Sequence, residues 1–121
     1  MANTFKVISF AAEPASAGTA YKMYTVAAST TTVVLGLILT NIHSTSVTVE
    51  VELVSNTASR GGDNDVTNTT SFLVKDVSIP AGSSLELLSG GKVVLEETDE
   101  IKIDCSVTDK ISGTLSIMEI T

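Results

Sequence analysis

Hydrophobic and polar residues alternate with a period of two in several short segments of this chain, and that pattern predicts β-strands. The clearest segment is 47–54 (VTVEVELV), which places valine and leucine on one side and threonine and glutamate on the other. Residues 101–107 (IKIDCSV) alternate in the same way. The predicted strands are residues 4–10, 21–27, 31–41, 47–54, 71–79, 84–88, 92–96, 101–107 and 111–120.

Turn-forming residues separate these segments. Residues 80–82 (PAG) and 90–91 (GG) supply the backbone angles that tight turns need. About eight or nine short strands without a helical segment predict an all-β fold, an antiparallel β-sandwich of which the jelly roll is one form. We expect residues 31–41 and 47–54 to form a hairpin, and a phase shift at Met118 predicts a β-bulge in the last strand.

The N-terminal segment has a different composition from the rest of the chain. Residues 11–20 (AAEPASAGTA) are small and include a proline and a glycine, which is typical of a loop or connector. We therefore predict an N-terminal arm or first strand with its linker over residues 1–20. Residues 21–121 then form a single β-sandwich domain.

One predicted strand is apolar on both faces. Residues 33–39 (VVLGLIL) lack the polar outward positions that a strand of a two-layer sandwich normally has. Its outer side must be covered, either by the N-terminal segment of the same chain or by a neighbouring subunit. The residues predicted to lie at such an interface are Phe5, Val7, Phe10, Val33, Leu35, Leu37 and Leu39.

A long polar segment, residues 55–70 (SNTASRGGDNDVTNTT), is predicted to be a loop. Loops of this length in a compact domain are commonly functional or disordered. Asp63 and Asp65 offer carboxylate oxygens of the kind that bind Ca²⁺, but the glutamate that closes a calcium loop is missing at the required distance. These two residues are weak metal candidates, and the alternative is a solvated loop.

Charge and hydropathy argue against two classes of partner. The net charge of −7 argues against nucleic acid, because phosphate binding needs clustered lysine and arginine. The acidity indicates either solubility alone or a surface that faces a basic partner. The most apolar run, residues 33–39, is too short to cross a bilayer as a helix, and residues 1–10 lack the features of a signal peptide. We therefore expect synthesis in a cytoplasm and no membrane partner.

Residue types that carry out catalysis are scarce. The single histidine, His43, lies in a predicted turn beside Ser44, without the Gly-x-Ser-x-Gly elbow of a hydrolase. The single cysteine, Cys105, is expected to be a small core residue. The absence of tryptophan disfavours sugar or base stacking. We therefore predict a protein that is not an enzyme, with no catalytic residues and no cofactor.

The C-terminal half resembles the small virion structural proteins of tailed bacteriophages, particularly those that infect cyanobacteria. The resemblance covers roughly residues 25–121, and these proteins often have glycine where this chain has Thr98. The segments that carry it are 77–87 (VSIPAGSSLEL), 90–96 (GGKVVLE), 99–103 (DEIKI), 117–120 (IMEI) and, near the opening strands, 37–41 (LILTN).

This resemblance implies a structural component of the virion, above all a decoration or cement protein that stabilises the head. Its expected partners are further copies of itself and the major capsid protein or other virion proteins. A trimer is the expectation by analogy with the threefold positions of icosahedral shells. The alternatives are a tail, neck or fibre-attachment component, and a module that binds sugar or calcium on a host surface.

Overall fold

The structure is a computed structural model that describes residues 2–56, 69–88 and 90–121. This part of the chain contains nine β-strands and no helix. The all-β prediction is therefore confirmed. The predicted arm is the first strand of the fold. The strands are β1 (Asn3–Glu13), β2 (Tyr21–Thr25), β3 (Thr31–Asn41), β4 (Val47–Val54), β5 (Thr70–Ile79), β6 (Ser84–Leu87), β7 (Val93–Leu95), β8 (Glu100–Cys105) and β9 (Ile111–Ile120).

The strands form two antiparallel sheets. Sheet I has the order β1-β9-β3-β6, with β7 also paired to β3, and sheet II has the order β2-β8-β4-β5. Pairs of strands are nested along the chain: β4·β5 lies within β3·β6, which lies within β2·β8, which lies within β1·β9. Successive pairs in this series belong alternately to sheet II and sheet I. This nesting is the jelly-roll form of the β-sandwich.

The core lies between the two sheets and is filled by branched aliphatic side chains from alternate strand positions. Burying one such side chain contributes about 1.5–3 kcal/mol, so these positions hold the two layers together. Those with at most 1% exposure include Leu37, Leu39, Val49, Val51, Ile101, Ile103, Leu115 and Ile117.

The predicted hairpin between β3 and β4 is wrong, because these strands belong to different sheets. The chain crosses between the layers at a corner organised by Asn41, which is 1% exposed. Its Nδ2 donates to the carbonyl oxygens of Thr45 at 2.9 Å and Ile79 at 2.8 Å, and its Oδ1 accepts from the His43 backbone N–H at 2.7 Å. Both amide hydrogens and the amide oxygen of this buried side chain therefore take part in holding the corner.

The predicted bulge at Met118 is also wrong, since Met118 pairs regularly with Phe5 on one side and Val33 on the other. The register instead shifts between Val34 and Gly36 of β3. Met118 looked out of phase because it is an apolar residue that points outward.

Candidate functional site

The outer face of sheet I carries a row of apolar side chains that runs straight across four strands. Phe5 on β1 lies opposite Met118 on β9, Met118 lies opposite Val33 on β3, and Val33 lies opposite Val94 on β7. The inward neighbours Val34 and Ile117 are fully buried, so the row projects away from the core. Phe5 is 72% exposed and Val94 is 60% exposed. A row of this kind leaves a large apolar surface open to a partner.

Further apolar side chains extend the row to a patch that we call the apolar face. Val7 is 66% exposed and Ile38 is 39% exposed, and Leu35 and Ile120 are partly buried beside them. Among the strand-paired positions that point outward from sheet I, the only charged side chain is that of Glu86 on β6. The other outward positions are Asn3, Phe5, Val7, Ser9, Thr31, Val33, Leu35, Ile38, Thr40, Ser84, Val94, Ser112, Thr114, Ser116, Met118 and Ile120.

The outer face of sheet II has the opposite chemistry. Lys75 Nζ lies 2.9 Å from Glu50 Oε1 and 4.6 Å from the centre of the Phe72 ring. Glu100 pairs with Lys22 at 3.6 Å and with Lys102 at 3.8 Å. Exposed ion pairs of this kind add little to stability, and they are compatible with contact to water. The two outer faces of the sandwich are therefore different surfaces, one charged and one almost uncharged.

The structure divides the predicted interface residues into two groups. Phe5, Val7, Val33 and Leu35 lie on the apolar face, where they are at least partly accessible. The other three predicted interface residues, Phe10, Leu37 and Leu39, point inward, as described next. No segment among the described residues covers the apolar face. In particular, β1 extends sheet I at the edge of β9 and does not fold over it.

Leu37 and Leu39 are 1% and 0% exposed, so their assignment to an interface is corrected to the core. The physical reason is the irregularity between Val34 and Gly36. A period of two counted from Val33 places both leucines on the outer face, and the irregularity shifts that period by one residue.

Phe10 also points inward, and it is corrected from an interface residue to a packing residue. Its ring lies against Tyr21, with 5.2 Å between centroids and an interplanar angle of 66°, an edge-to-face arrangement. The ring also occupies the space where a side chain at Gly113 would be, since a Cβ there would lie 2.4 Å from two ring carbons. Phe10 therefore anchors β1 to the sandwich through the glycine of β9.

A polar cluster closes the sandwich at the other end of β1. The Tyr24 hydroxyl donates to Glu119 Oε2 at 2.6 Å and lies 2.8 Å from Thr32 Oγ1, while Lys6 Nζ lies 2.6 Å from Glu119 Oε1. Burial, together with the bond to Glu119, raises the pKa of Tyr24 to about 12. The bonds from Lys6 and Tyr24 lower the pKa of the Glu119 carboxyl group. The cluster keeps Tyr24 neutral and Glu119 ionised, which suits a structural clamp.

The remaining chemically active side chains are dispersed. Cys105 is 3% exposed, and burial raises the pKa of its thiol, which disfavours the reactive thiolate. Asp99, 2% exposed, accepts from the backbone N–H groups of Asn56 and Glu96 at 2.9 and 3.0 Å and so orders a turn. Asp63 and Asp65 lie outside the described residues. Within the described residues no three side chains that commonly bind metal are grouped together, and no helix is long and apolar enough to span a membrane.

Neither a known protein family, nor a curated protein, nor a solved structure matches this chain. The candidate site therefore depends on the geometry alone.

Sequence reasoning missed the part of the apolar face that comes from β9 and β7. Met118 follows the inward Ile117, and Val94 lies between the inward Val93 and Leu95, so a single strand offers no way to separate the two faces. The available signal was the same as in β3, namely apolar residues at consecutive positions of a strand. Applied to residues 93–95 and 117–118, it would have extended the patch to four strands.

Proposed function

We propose that this protein is a structural subunit of a bacteriophage particle, and specifically a decoration or cement protein of the head. It acts by contact and not by catalysis. The observation that carries the proposal is the apolar face, a nearly uncharged patch across four strands of an otherwise acidic protein. Monomeric proteins seldom expose a continuous apolar patch of this extent unless it binds a partner.

Three further features support a role as a building block. The sandwich is stiff, because each sheet is continuous and the core between them is closed to solvent. The opposite face, with its ion pairs, suits the exterior of a particle. The resemblance of residues 25–121 to phage virion proteins supplies the type of assembly.

The partners in this proposal are other copies of the chain together with the major capsid protein or another virion protein. Shell symmetry by itself leads us to expect trimers at threefold positions. A single flat face pairs with one other face, so the geometry of the apolar face favours pairs instead.

Copy number in purified particles tests the proposal. Quantitative mass spectrometry of particles from infected cells should find this chain at a level on the order of hundreds per particle, comparable with the major capsid protein, as repeated shell positions require. A few copies to a few dozen would assign the chain to the tail, neck or fibre attachment and overturn the decoration role. Absence from purified particles would overturn the virion role altogether.

A further inference from the structure

We propose that the apolar face binds the same face of a second copy of this chain, with Phe5 of each copy inserted beside Gly36 of the other. This inference rests on the proposed function and deepens it by naming the partner and the surface. Its basis is that a projecting side chain and a recess of matching size occur on one and the same face.

The recess lies between β3, β6 and β9, where Gly36 has no side chain and the register of β3 shifts. Its volume is about 200 Å³, and Leu35, Ile38, Thr114 and the charged Glu86 are among the residues that line it. An apolar cavity of about 150 Å³ accepts a benzene molecule, so this recess has room for a phenyl ring. Phe5, 72% exposed, is the largest projecting side chain of the apolar face.

The positions of Phe5 and Gly36 allow a symmetric pair. Phe5 lies in register with Val33, two strands away. Gly36 lies in register with Val7, two paired positions further along the strands, because the irregularity adds one residue to β3. With about 4.8 Å between strands and about 3.4 Å per residue, roughly 12 Å separates the projection from the recess. A two-fold axis in the plane of the face, midway between them, brings each Phe5 onto the recess of the other copy.

That axis also fixes the angle between the two sheets. The line from Phe5 to Gly36 runs at roughly 55° to the strands, because its components across and along them are about 10 Å and about 7 Å. The two-fold operation then makes the strands of the copies cross at roughly 70°. This angle is nearer to orthogonal than to aligned packing, the two arrangements in which β-sheets pack face to face.

The near absence of charge on the apolar face argues against a basic or acidic partner. Each copy carries a net charge of −7, so copies repel one another through most of their surface. The apolar face is where this repulsion is least, since Glu86, which lines the recess, is the single charged residue among its outward strand positions. A partner recognised by charge would need complementary groups that this face does not offer.

The size of the face sets the strength of the pairing. The face is four strands wide, at about 4.8 Å each, and seven residues long, from Asn3 to Ser9 at about 3.4 Å each. Its footprint is therefore roughly 450 Å² per copy. The pair therefore buries on the order of 900 Å², at the low end of specific interfaces. We expect a dissociation constant on the order of 10 μM for the isolated chain, and avidity from repeated contacts in an assembly.

Sedimentation velocity of the full chain from about 1 to 500 μM tests the pairing. The wild-type chain should shift from monomer to dimer, and Phe5→Ser should raise the dissociation constant at least about a hundredfold, since symmetry removes two anchors at about tenfold each. Phe72→Ser, on the charged outer face of sheet II, is the matched control and should leave the constant unchanged. Circular dichroism should show the same fold for all three chains.

A disulfide cross-link tests the orientation. In one chain Phe5 and Gly36 are roughly 12 Å apart, so the variant Phe5→Cys/Gly36→Cys cannot close within a chain. In the proposed pair Phe5 of one copy lies beside Gly36 of the other, and oxidation should give covalent dimers. The control Phe72→Cys/Gly36→Cys should remain monomeric, and the native Cys105 is buried.

The results separate the inference from the proposed function. A chain that stays monomeric at 500 μM, or that associates equally well as Phe5→Ser, overturns the self-pairing. Particle binding by a monomeric chain, lost in Phe5→Ser, would assign the face to a shell protein, so the self-pairing fails and the virion role stands. Dimers that are absent from purified particles would support the pairing and overturn the virion role.

Discussion

Replacing Gly113 by alanine should destabilise the protein, because the Phe10 ring occupies the position of the new methyl group. A Cβ at Gly113 would lie 2.4 Å from Cε2 and Cζ of Phe10 and 3.2 Å from Cδ2. Carbon atoms in favourable contact are about 3.5–4.0 Å apart, so the ring must move by about 1 Å or more. Such a movement disturbs the edge-to-face contact of Phe10 with Tyr21.

The expected size of the effect follows from two opposing terms. Overpacking of this kind costs about 1–3 kcal/mol, while replacing glycine in a strand by alanine returns about 0.5–1 kcal/mol. We expect Gly113→Ala to lower the free energy of unfolding by about 1–2 kcal/mol. In a Phe10→Ala background the clash is absent, and the same change should be neutral or stabilising by about 0.5 kcal/mol.

Urea unfolding followed by circular dichroism measures all four members of this cycle, since the chain has no tryptophan for fluorescence. Gly91→Ala is the matched control, because a Cβ there meets no atom within 4 Å. A coupling energy of about 2 kcal/mol between Phe10 and Gly113 is the predicted result. Equal destabilisation by Gly113→Ala in both backgrounds would refute the packing of Phe10 described above.

Three further changes test other parts of the fold. Thr98→Gly should raise the free energy of unfolding by about 1 kcal/mol, because Thr98 has φ = 71°, where a β-branched residue is strained. An unchanged midpoint in urea titrations would contradict this. Stability should fall by about 2 kcal/mol between pH 10 and 12, because the pKa of Tyr24 is raised from 10.0 to about 12 in the folded protein and only the unfolded chain ionises in this window. Tyr24→Phe should remove that component of the pH profile, and an unchanged profile would contradict the assignment. Asn41→Leu should lower the free energy of unfolding by about 2–4 kcal/mol, since it leaves the buried carbonyl of Ile79 without its donor. A loss below about 1 kcal/mol in thermal unfolding would show that the corner does not depend on this amide.

The strands themselves could be predicted from the sequence because their apolar patterns are strong. The predicted bounds of β3, β4 and β9 agree with the structure at both ends. In β4 the alternation of valine with threonine and glutamate also identified the buried side correctly, because one face of that strand is in contact with water.

The way the strands pair could not be read from local pattern. A connection of five residues between β3 and β4 is compatible both with a hairpin and with a crossing between the two sheets. The crossing is held by the buried hydrogen bond from Asn41 to the carbonyl of Ile79, a residue far away in the chain. Likewise, nothing local indicates that β1 pairs with β9, which brings the two ends of the chain together.

The candidate site was predictable only in part, for the same physical reason. A continuous apolar run shows that both faces of a strand are apolar, but it hides the irregularity at Val34 and Gly36 that moves Leu37 and Leu39 into the core. Thr98 has a left-handed backbone conformation, which glycine adopts without strain and which nothing in the local pattern indicates.

Hydroxyl-radical footprinting of the chain, in purified particles and as dilute isolated protein, tests most directly whether the apolar face is a contact surface. Methionine and aromatic side chains react according to their exposure, so Phe5 and Met118 report on the apolar face and Phe72 reports on sheet II. We predict that modification of Phe5 and Met118 falls severalfold in the particle while that of Phe72 changes little. Equal modification of Phe5 and Met118 in both states would contradict the account, since a face that stays in water joins nothing together.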